Sequence, residues 1–515
     1  MIKTLSRLSG ATAALPAADA AAAPGIDDRI QSVLGPVADW LSGVVFVEIP
    51  LPGGLSAPAI VLWLAVAACV FTVYFRFINL RGFAHGFRVI RGDYADPRGP
   101  GEVSHFQALT SALSGTVGLG NIAGVAVAIT VGGPGATFWM IVAGLLGMSS
   151  KFVECTLGVM YRRQNADGSI SGGPMYYLSQ GIAAHRPRLA GLGRGLAVFY
   201  AICIVGGAAG SGALFQANQT YAQVLSVTGG AEGPLAGRGW LFGIGLAVLT
   251  GIVVVGGIAR IGRVTAQLVP AMAALYLLAG AAVLVVHADR LPDAVAAILH
   301  GALSGEAAYG GVLGALIVGF RRAAFSNEAG LGSAAIAHSA VRTREPLSEG
   351  FVALWEPFID TVVICTMTAL IIIVSGQYLQ PGPDGVALTS RAFASVFSWF
   401  PYVLTVVVFL FAYSTMITWG YYGTKAVGYL TGESTLAMNL FKIVFLLMTV
   451  VGCSMQLGSI IGIADAMLLL MAIPNLIGVY LLMPVVKREL DSYLARLKSG
   501  EIRPYRARTI PETSR

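Results

Sequence analysis

Within the apolar stretch Ala112–Ala126, ALSGTVGLGNIAGVA, four glycines (Gly115, Gly118, Gly120 and Gly124) alternate with Ser114, Thr116 and Asn121. Glycine loosens the backbone, and the hydroxyl and amide side chains can bond backbone or ligand, so a continuous helix is not expected here. Breaking a helix inside a bilayer exposes amide N–H groups at one half-helix N-terminus and carbonyls at the other half's C-terminus. Those two ends suit an anion and a cation side by side, and a zwitterionic amino acid with Na⁺ satisfies both. Amides near Gly115 to Gly118 are the candidates for a carboxylate, which makes Ser114, Gly115, Thr116 and Gly118 candidate substrate residues. The plain alternative is close helix packing through small residues such as Gly120 and Gly124, but packing alone does not call for Ser, Thr and Asn. A dinucleotide fingerprint is rejected, because Gly118, Gly120 and Gly124 read GxGxxxG with no strand or βαβ unit around them.

The same pattern returns 212 positions later in Ala324–His338, AFSNEAGLGSAAIAH. Ala112/Ala324, Ser114/Ser326, Gly118/Gly330, Leu119/Leu331, Gly120/Gly332 and Ala123/Ala335 coincide, and Pro134/Pro346 keep the offset. Carbonyls near Phe325 and Ser326 are candidate acceptors for an ammonium, with the Phe325 ring limiting side-chain size; otherwise Phe325 is packed core. Gln216, Asn218 and Gln219 put three amides where hydrocarbon is expected. Interhelical bonding is the modest explanation, and a direct substrate contact by Gln216 is preferred. In FAYSTMITWGYYG, Ser414, Thr415 and Thr418 share a helical face, with Trp419 one turn beyond Thr415 as a pocket wall. Their hydroxyls, with backbone carbonyls near Ser114 and Phe411, form a neutral oxygen cage of the kind a hard cation takes; alternatively they bond back to their own helix.

Ionisable residues inside spans are functional candidates by default. Lys151 and Glu154 are spaced to pair, Glu356 and Asp360 share a face, and Asp465 stands alone; Asp360 or Asp465 is the candidate carrier if the coupling ion is H⁺. Arg321 and Arg322 are interfacial anchors or gate charges. His105 and His338 are read as interfacial, at helix ends.

The elements that must position these residues follow from composition. In 515 residues, 56% are hydrophobic and 11% charged, and the mean hydropathy is +0.74, which places the chain among polytopic membrane proteins. The five cysteines lie in apolar runs without metal spacing and are read as small core residues, not disulfides. Residues 1–57 form an extracytoplasmic segment. Lys3 and Arg7 precede an alanine-rich run that is either signal-like or a disordered tail, and the spacing predicts an interfacial helix over 30–47. Spanning runs of ~20 residues fall at 58–75, 106–128, 135–160, 196–225, 240–258, 264–287, 309–337, 351–375, 398–422, 437–456 and 459–486.

Eleven spans put the ends on opposite sides. One set of loops, with the tail 487–515, carries 23 Lys/Arg and the other side six, so the N-terminus is expected outside and the C-terminus in the cytoplasm. The net charge of +7 is thus topological and does not indicate nucleic acid. The two glycine-interrupted stretches open two sets of five spans of opposite direction, residues 106–287 and 309–486, after one leading helix at 58–75. Inverted repeats with interrupted first members mark a secondary transporter with a mid-membrane site.

The chain also resembles the alanine or glycine:cation symporters. The resemblance rests on GEVSHFQALTSALSGTVGLGNIAGVA, GGPGATFWM, KFVE, SGGPMYY, FSNEAGLGSAAIAH, EPFIDTVVICTMTAL and FAYSTMITWGYYG, in order from Gly101 to Gly423. Ile141 stands where the family often has a second Trp, and the alanine-rich start has no family counterpart. The resemblance implies an all-α, LeuT-like membrane fold with one extra leading helix, in the plasma membrane. It also implies import of a small neutral amino acid, alanine or glycine, with Na⁺ as coupling ion held by Ser414 and Thr415, and no other cofactor. The rivals are a carrier of the same fold for another small solute, a proton-coupled carrier and an ion channel. An enzyme is disfavoured because no Ser/His/Asp, HExxH or paired-carboxylate constellation occurs in the spans.

Overall fold

The computed structural model describes residues 26–51, 55–95, 99–165, 168–304, 311–382 and 384–504. The alanine-rich start, with its signal-like or disordered reading, lies outside them. Two short antiparallel strand pairs, Glu48–Leu51 with Leu55–Pro58 and Arg163–Gln164 with Ile170–Ser171, interrupt a chain that is otherwise helical. A helix over Ile26–Val45 occupies the place where the apolar spacing predicts one. It packs on Leu457–Leu470 and leaves Val33, Val37, Trp40 and Val44 exposed, as suits a helix lying at a membrane surface.

Among the described residues, seven helices are long and apolar enough to cross a membrane: Gly135–Met160, Pro187–Val227, Gly257–Val286, Pro346–Ser375, Phe400–Thr431, Thr435–Gly452 and Leu457–Ser499. An eighth crossing is made by His105–Thr116 and Gly120–Gly132, which meet at a bend of 52°. Ala59–Tyr74 and Gly239–Val254 are apolar but have only 16 residues each, about 24 Å of helix against a hydrocarbon core of ~30 Å. Gly311–Asn327 is separated from Ala334–His338 by a non-helical break. Eleven crossings require these last three to span as well, so the count of eleven remains a proposal.

The two breaks fall at matching places in the 212-residue register, near 117–119 and 328–333. Each arises where glycine cannot hold helix against competing side-chain acceptors. The first half-helix begins cleanly, because Ser104 Oγ accepts from Gln107 N–H at 3.2 Å while Gln107 Oε1 accepts from Ser104 N–H at 3.0 Å, a capping box. Gly135–Met160 is the central strut, packed on both parts of the second broken helix and on Pro346–Ala353. Small residues set these approaches: a methyl group at Gly158 would stand 2.8 Å from the Ala335 carbonyl, closer than any Cβ can sit.

One end of the two broken helices is tied together. Val103 and Val341 form a parallel bridge, Arg342 N–H donates to Val103 O at 2.7 Å, and the Arg162 guanidinium donates to Ser339 O at 2.8 Å, Thr343 O at 2.7 Å and Pro100 O at 2.8 Å. The five cysteines are free thiols; four are buried, but Cys69 is exposed, since it lies on the outer face of a helix whose other side packs inward.

Candidate functional site

The first break is built around Gly118. Past Thr116 the backbone leaves the helix at Val117 and resumes as a wide turn at Gly120–Gly124. Two N–H groups released by the break find side-chain acceptors: Gly118 N–H donates to Asn121 Oδ1 at 2.9 Å, and Leu119 N–H to Gln216 Oε1 at 3.1 Å. Gln216 is steadied from its own helix, its amide donating to Ser211 O at 3.1 Å. A methyl group at Gly118 would stand 2.4 Å from Thr415 Oγ1 and 3.2 Å from Gln216 Oε1, so only glycine admits both side chains to the break.

The second break lies opposite. Glu328, Gly330 and Gly332 hold positive φ angles of 57°, 89° and 79°, so the helix cannot continue through them. A methyl group on Gly120 would be 3.4 Å from both the Phe325 ring and Ser326 Cα, which places the two breaks face to face. The Phe325 ring stacks edge-on against Phe215 at 5.1 Å and lies under the Arg322 guanidinium at 5.3 Å.

Asp360 joins the two breaks directly. Asn121 Nδ2 donates to Asp360 Oδ1 at 2.6 Å, and Ser326 Oγ and Thr361 Oγ1 donate to Oδ2 at 2.8 and 2.7 Å. Asn121 and Asp360 therefore join the site, although the sequence names Asp360 only as a candidate carrier of H⁺ and gives Asn121 no substrate role. The signal was present, in an amide beside Gly120 and an acid inside an apolar span, but nothing in their spacing says that they meet.

The third contributor is the helix Phe400–Thr431. Ser414 Oγ and Thr415 Oγ1 both donate to Phe411 O at 2.9 Å, Ser114 Oγ donates to Ser414 O at 2.7 Å, and Thr418 Oγ1 donates to Ser114 Oγ at 3.0 Å. The predicted residues thus sit together as a cluster of neutral hydroxyl and carbonyl oxygens. The hydroxyls can turn their lone pairs to a cation by releasing these local bonds. Trp419 Nε1 donates to Gly115 O at 3.3 Å, and its ring fills the space left by Gly207 and Gly212, so it walls the first break. Thr116 departs from the expectation: its hydroxyl bonds back to Ala112 O and Leu113 O, both at 3.4 Å, not toward the other helices. Apart from Thr116, the predicted site residues Ser114, Gly115, Gly118, Gln216, Phe325, Ser326, Ser414, Thr415 and Trp419 are brought into one buried neighbourhood.

Three expectations about the ionisable groups are corrected. Lys151 pairs with Glu356, Nζ to Oε1 at 2.8 Å, and not with Glu154, because Glu356 and Asn475, from other helices, come closer to the two side chains than these come to each other. Asp465 does not stand alone: Arg321 Nε donates to it at 2.9 Å and Arg322 also binds it. His105 and His338 are not interfacial but buried on either side of Glu349; folding brings the ends of the two broken helices together over them.

Two helices broken at facing positions inside a membrane-spanning bundle are the layout of a secondary transporter of LeuT-like architecture. The solved structure of MhsT in complex with L-phenylalanine shares this fold, with a TM-score of 0.51 at 16% identity over 73% of this chain and 88% of that one. The family model described as the sodium:alanine symporter family matches residues 50–507, and the chain belongs to that family. It is 38% identical to the sodium/alanine symporter AgcS of Methanococcus maripaludis over 82% of this chain and 91% of that protein. It is also 34% identical to the probable sodium/glutamine symporter GlnT of Bacillus subtilis, over 84% and 87% of the two chains.

Proposed function

We propose that this protein imports alanine or glycine together with Na⁺ by alternating access across the plasma membrane, with its N-terminus outside and its C-terminus in the cytoplasm. The observation that carries this reading is the meeting of the two breaks with the Ser414–Thr415 helix, which offers unwound amides, carbonyls and hydroxyls within one buried site. A substrate carboxylate is received by the amides around Gly118 and Leu119, where Gln216 and Asn121 now stand as acceptors, and its ammonium by carbonyls near Phe325 and Ser326. Na⁺ is received by Ser414, Thr415 and the carbonyls beside them, a neutral oxygen set that suits a hard monovalent cation. Because Thr415 Oγ1 lies against Gly118, ion and amino acid organise the same stretch of backbone, and each raises the affinity for the other.

Small size is favoured because Phe325, Phe215 and Trp419 close the neighbourhood with aromatic walls. Membership of the family by itself admits larger cargo, as the name of the Bacillus subtilis relative indicates. The deciding experiment is uptake into proteoliposomes. Radiolabelled alanine should accumulate only with an inward Na⁺ gradient, and glycine should compete while glutamine and phenylalanine do not. Uptake that is indifferent to Na⁺ but driven by an imposed proton gradient, or competition led by glutamine, overturns the assignment.

A further inference from the structure

Beneath the proposed site lies a second buried cluster that binding of amino acid and Na⁺ does not use. Lys151 Nζ holds Glu356 Oε1 at 2.8 Å, and Glu356 Oε2 lies 3.5 Å from His338 Nε2. Glu349 takes His338 Nδ1 at 2.6 Å on one oxygen and His105 on the other. Lys151, Glu154, Glu349, Glu356 and His338 have no exposed surface, and His105 and Glu328 only 3% and 2%. Lys151 and the two histidines are taken up by Glu349 and Glu356, and among the described residues Glu154 and Glu328 pair with no lysine, arginine or histidine.

Glu328 accepts from the Ser333 hydroxyl. Glu154 accepts on Oε1 from Asn475 Nδ2 at 2.6 Å, and its Oε2 has no hydrogen-bond partner. The remaining neighbours bring no compensating charge: Cys155 is on the same helix, Tyr177 donates its hydroxyl to Asn475 Oδ1, and Tyr200 donates its hydroxyl to Leu331 O at 2.9 Å. A lone carboxylate at this depth, cut off from water, costs several kcal/mol, and a proton removes that cost.

We propose that Glu154 is a proton-binding site, and that its proton is taken up and released once in each transport cycle. The link to transport is Asn475, whose amide donates at once to Glu154 Oε1 and to Gly330 O at 2.8 Å. Gly330 lies in the second break, so any rearrangement of that break withdraws or redirects the amide that Glu154 depends on. In the arrangement described here, with Glu154 fully buried, the carboxyl holds H⁺ through a new O–H bond. When the break opens, water reaches Oε2 and the proton leaves to buffer as the carboxylate forms. The chemistry is proton exchange alone, with no other bond made or broken. The cycle it serves is the transport reading given above, whereas the site itself is defined by the cluster.

Two measurements on the full-length protein separate these. Infrared difference spectra in light and heavy water should show the carbonyl stretch of a neutral carboxylic acid in the wild type without substrate. One component of that band should be lost in Glu154→Gln and displaced in Glu154→Asp, the variant that keeps an acid if the amide packs poorly; any component from Glu328 stays in both. In weakly buffered solution, Na⁺ with alanine should exchange about one proton per molecule, the linkage of a single group, and Glu154→Gln should exchange none. A band unchanged in Glu154→Gln, or an equal, non-zero proton exchange in both proteins, overturns the proposal. The band requires no ligand, so a wrong choice of amino acid silences uptake and proton exchange alike but leaves the band, and its dependence on Glu154, in place.

Discussion

Gln216 reaches from a helix nearly a hundred positions away to satisfy Leu119 N–H at 3.1 Å, and with Asn121 it keeps the first break from leaving buried donors unpaired. Truncating it exposes the full cost of that donor, about 1–3 kcal/mol. Because Gln216 is also the preferred direct contact to the substrate, Gln216→Ala should weaken alanine binding roughly tenfold or more, while Ser414→Ala should leave alanine affinity at saturating Na⁺ nearly unchanged and raise the Na⁺ needed for half-maximal binding roughly tenfold. Isotherms for alanine at several Na⁺ concentrations read both effects, and the opposite split between the variants would exchange their assignments. At this scale the glycines, hydroxyls and aromatics were legible in the sequence because their types are anomalous in an apolar span. Asp360 was legible only as a buried acid. That its two oxygens divide between Asn121 and Ser326 depends on the approach of three segments, the first 239 residues from Asp360 and the second 34. Thr116 shows the converse, a residue of suitable type whose hydroxyl the helix itself takes up.

Among the elements, the two broken helices are tied at one end by the Val103–Val341 bridge. Near the other break the second of them is fastened by Arg321 and Arg322 to Asp465 on Leu457–Leu470. The Phe46 ring, just past the helix Ile26–Val45, lies 4.0 Å over the Arg321 guanidinium, so the N-terminal helix and the arginine pair both grip the same partner helix. Phe46 lies before residue 50, where the family match begins. Losing a cation–π contact of about 0.5–1 kcal/mol should loosen this clasp a few-fold. Phe46→Ala is expected to speed amide hydrogen exchange two- to fivefold across 311–327 and 457–470, with no change at 105–116; uniform exchange across the molecule would remove the clasp role. Helix periodicity predicted the N-terminal helix but not its berth, because an amphipathic face specifies an apolar surface and not which one.

For the whole molecule, pH reports on the packing of the loop side. His85, on the short helix Phe83–Ile90 outside the spans, accepts or donates with Tyr493 OH at 2.9 Å and is enclosed by Tyr94, Phe351 and Tyr493. Burial, with Arg88 nearby, lowers its pKa from 6.5 to about 4. The unfolded chain thus binds this proton more readily than the folded one, so the stability from neutral His85 is complete above pH 6.5 and drains away as pH falls toward 4. Melting temperature should drop over that window, and His85→Gln should flatten the drop; an unchanged pH profile would place the acid sensitivity elsewhere. Membrane character, the helical class and the paired breaks were determined by the sequence, since bilayer burial and helix breaking are local matters of composition and backbone freedom. Tertiary structure alone decided that Lys151 meets Glu356 and leaves Glu154 to Asn475, that Asp465 holds two arginines, and that Asp360 binds both breaks. Charged partners in a low-dielectric interior are chosen by which helix faces come together, and no spacing along one chain records that choice.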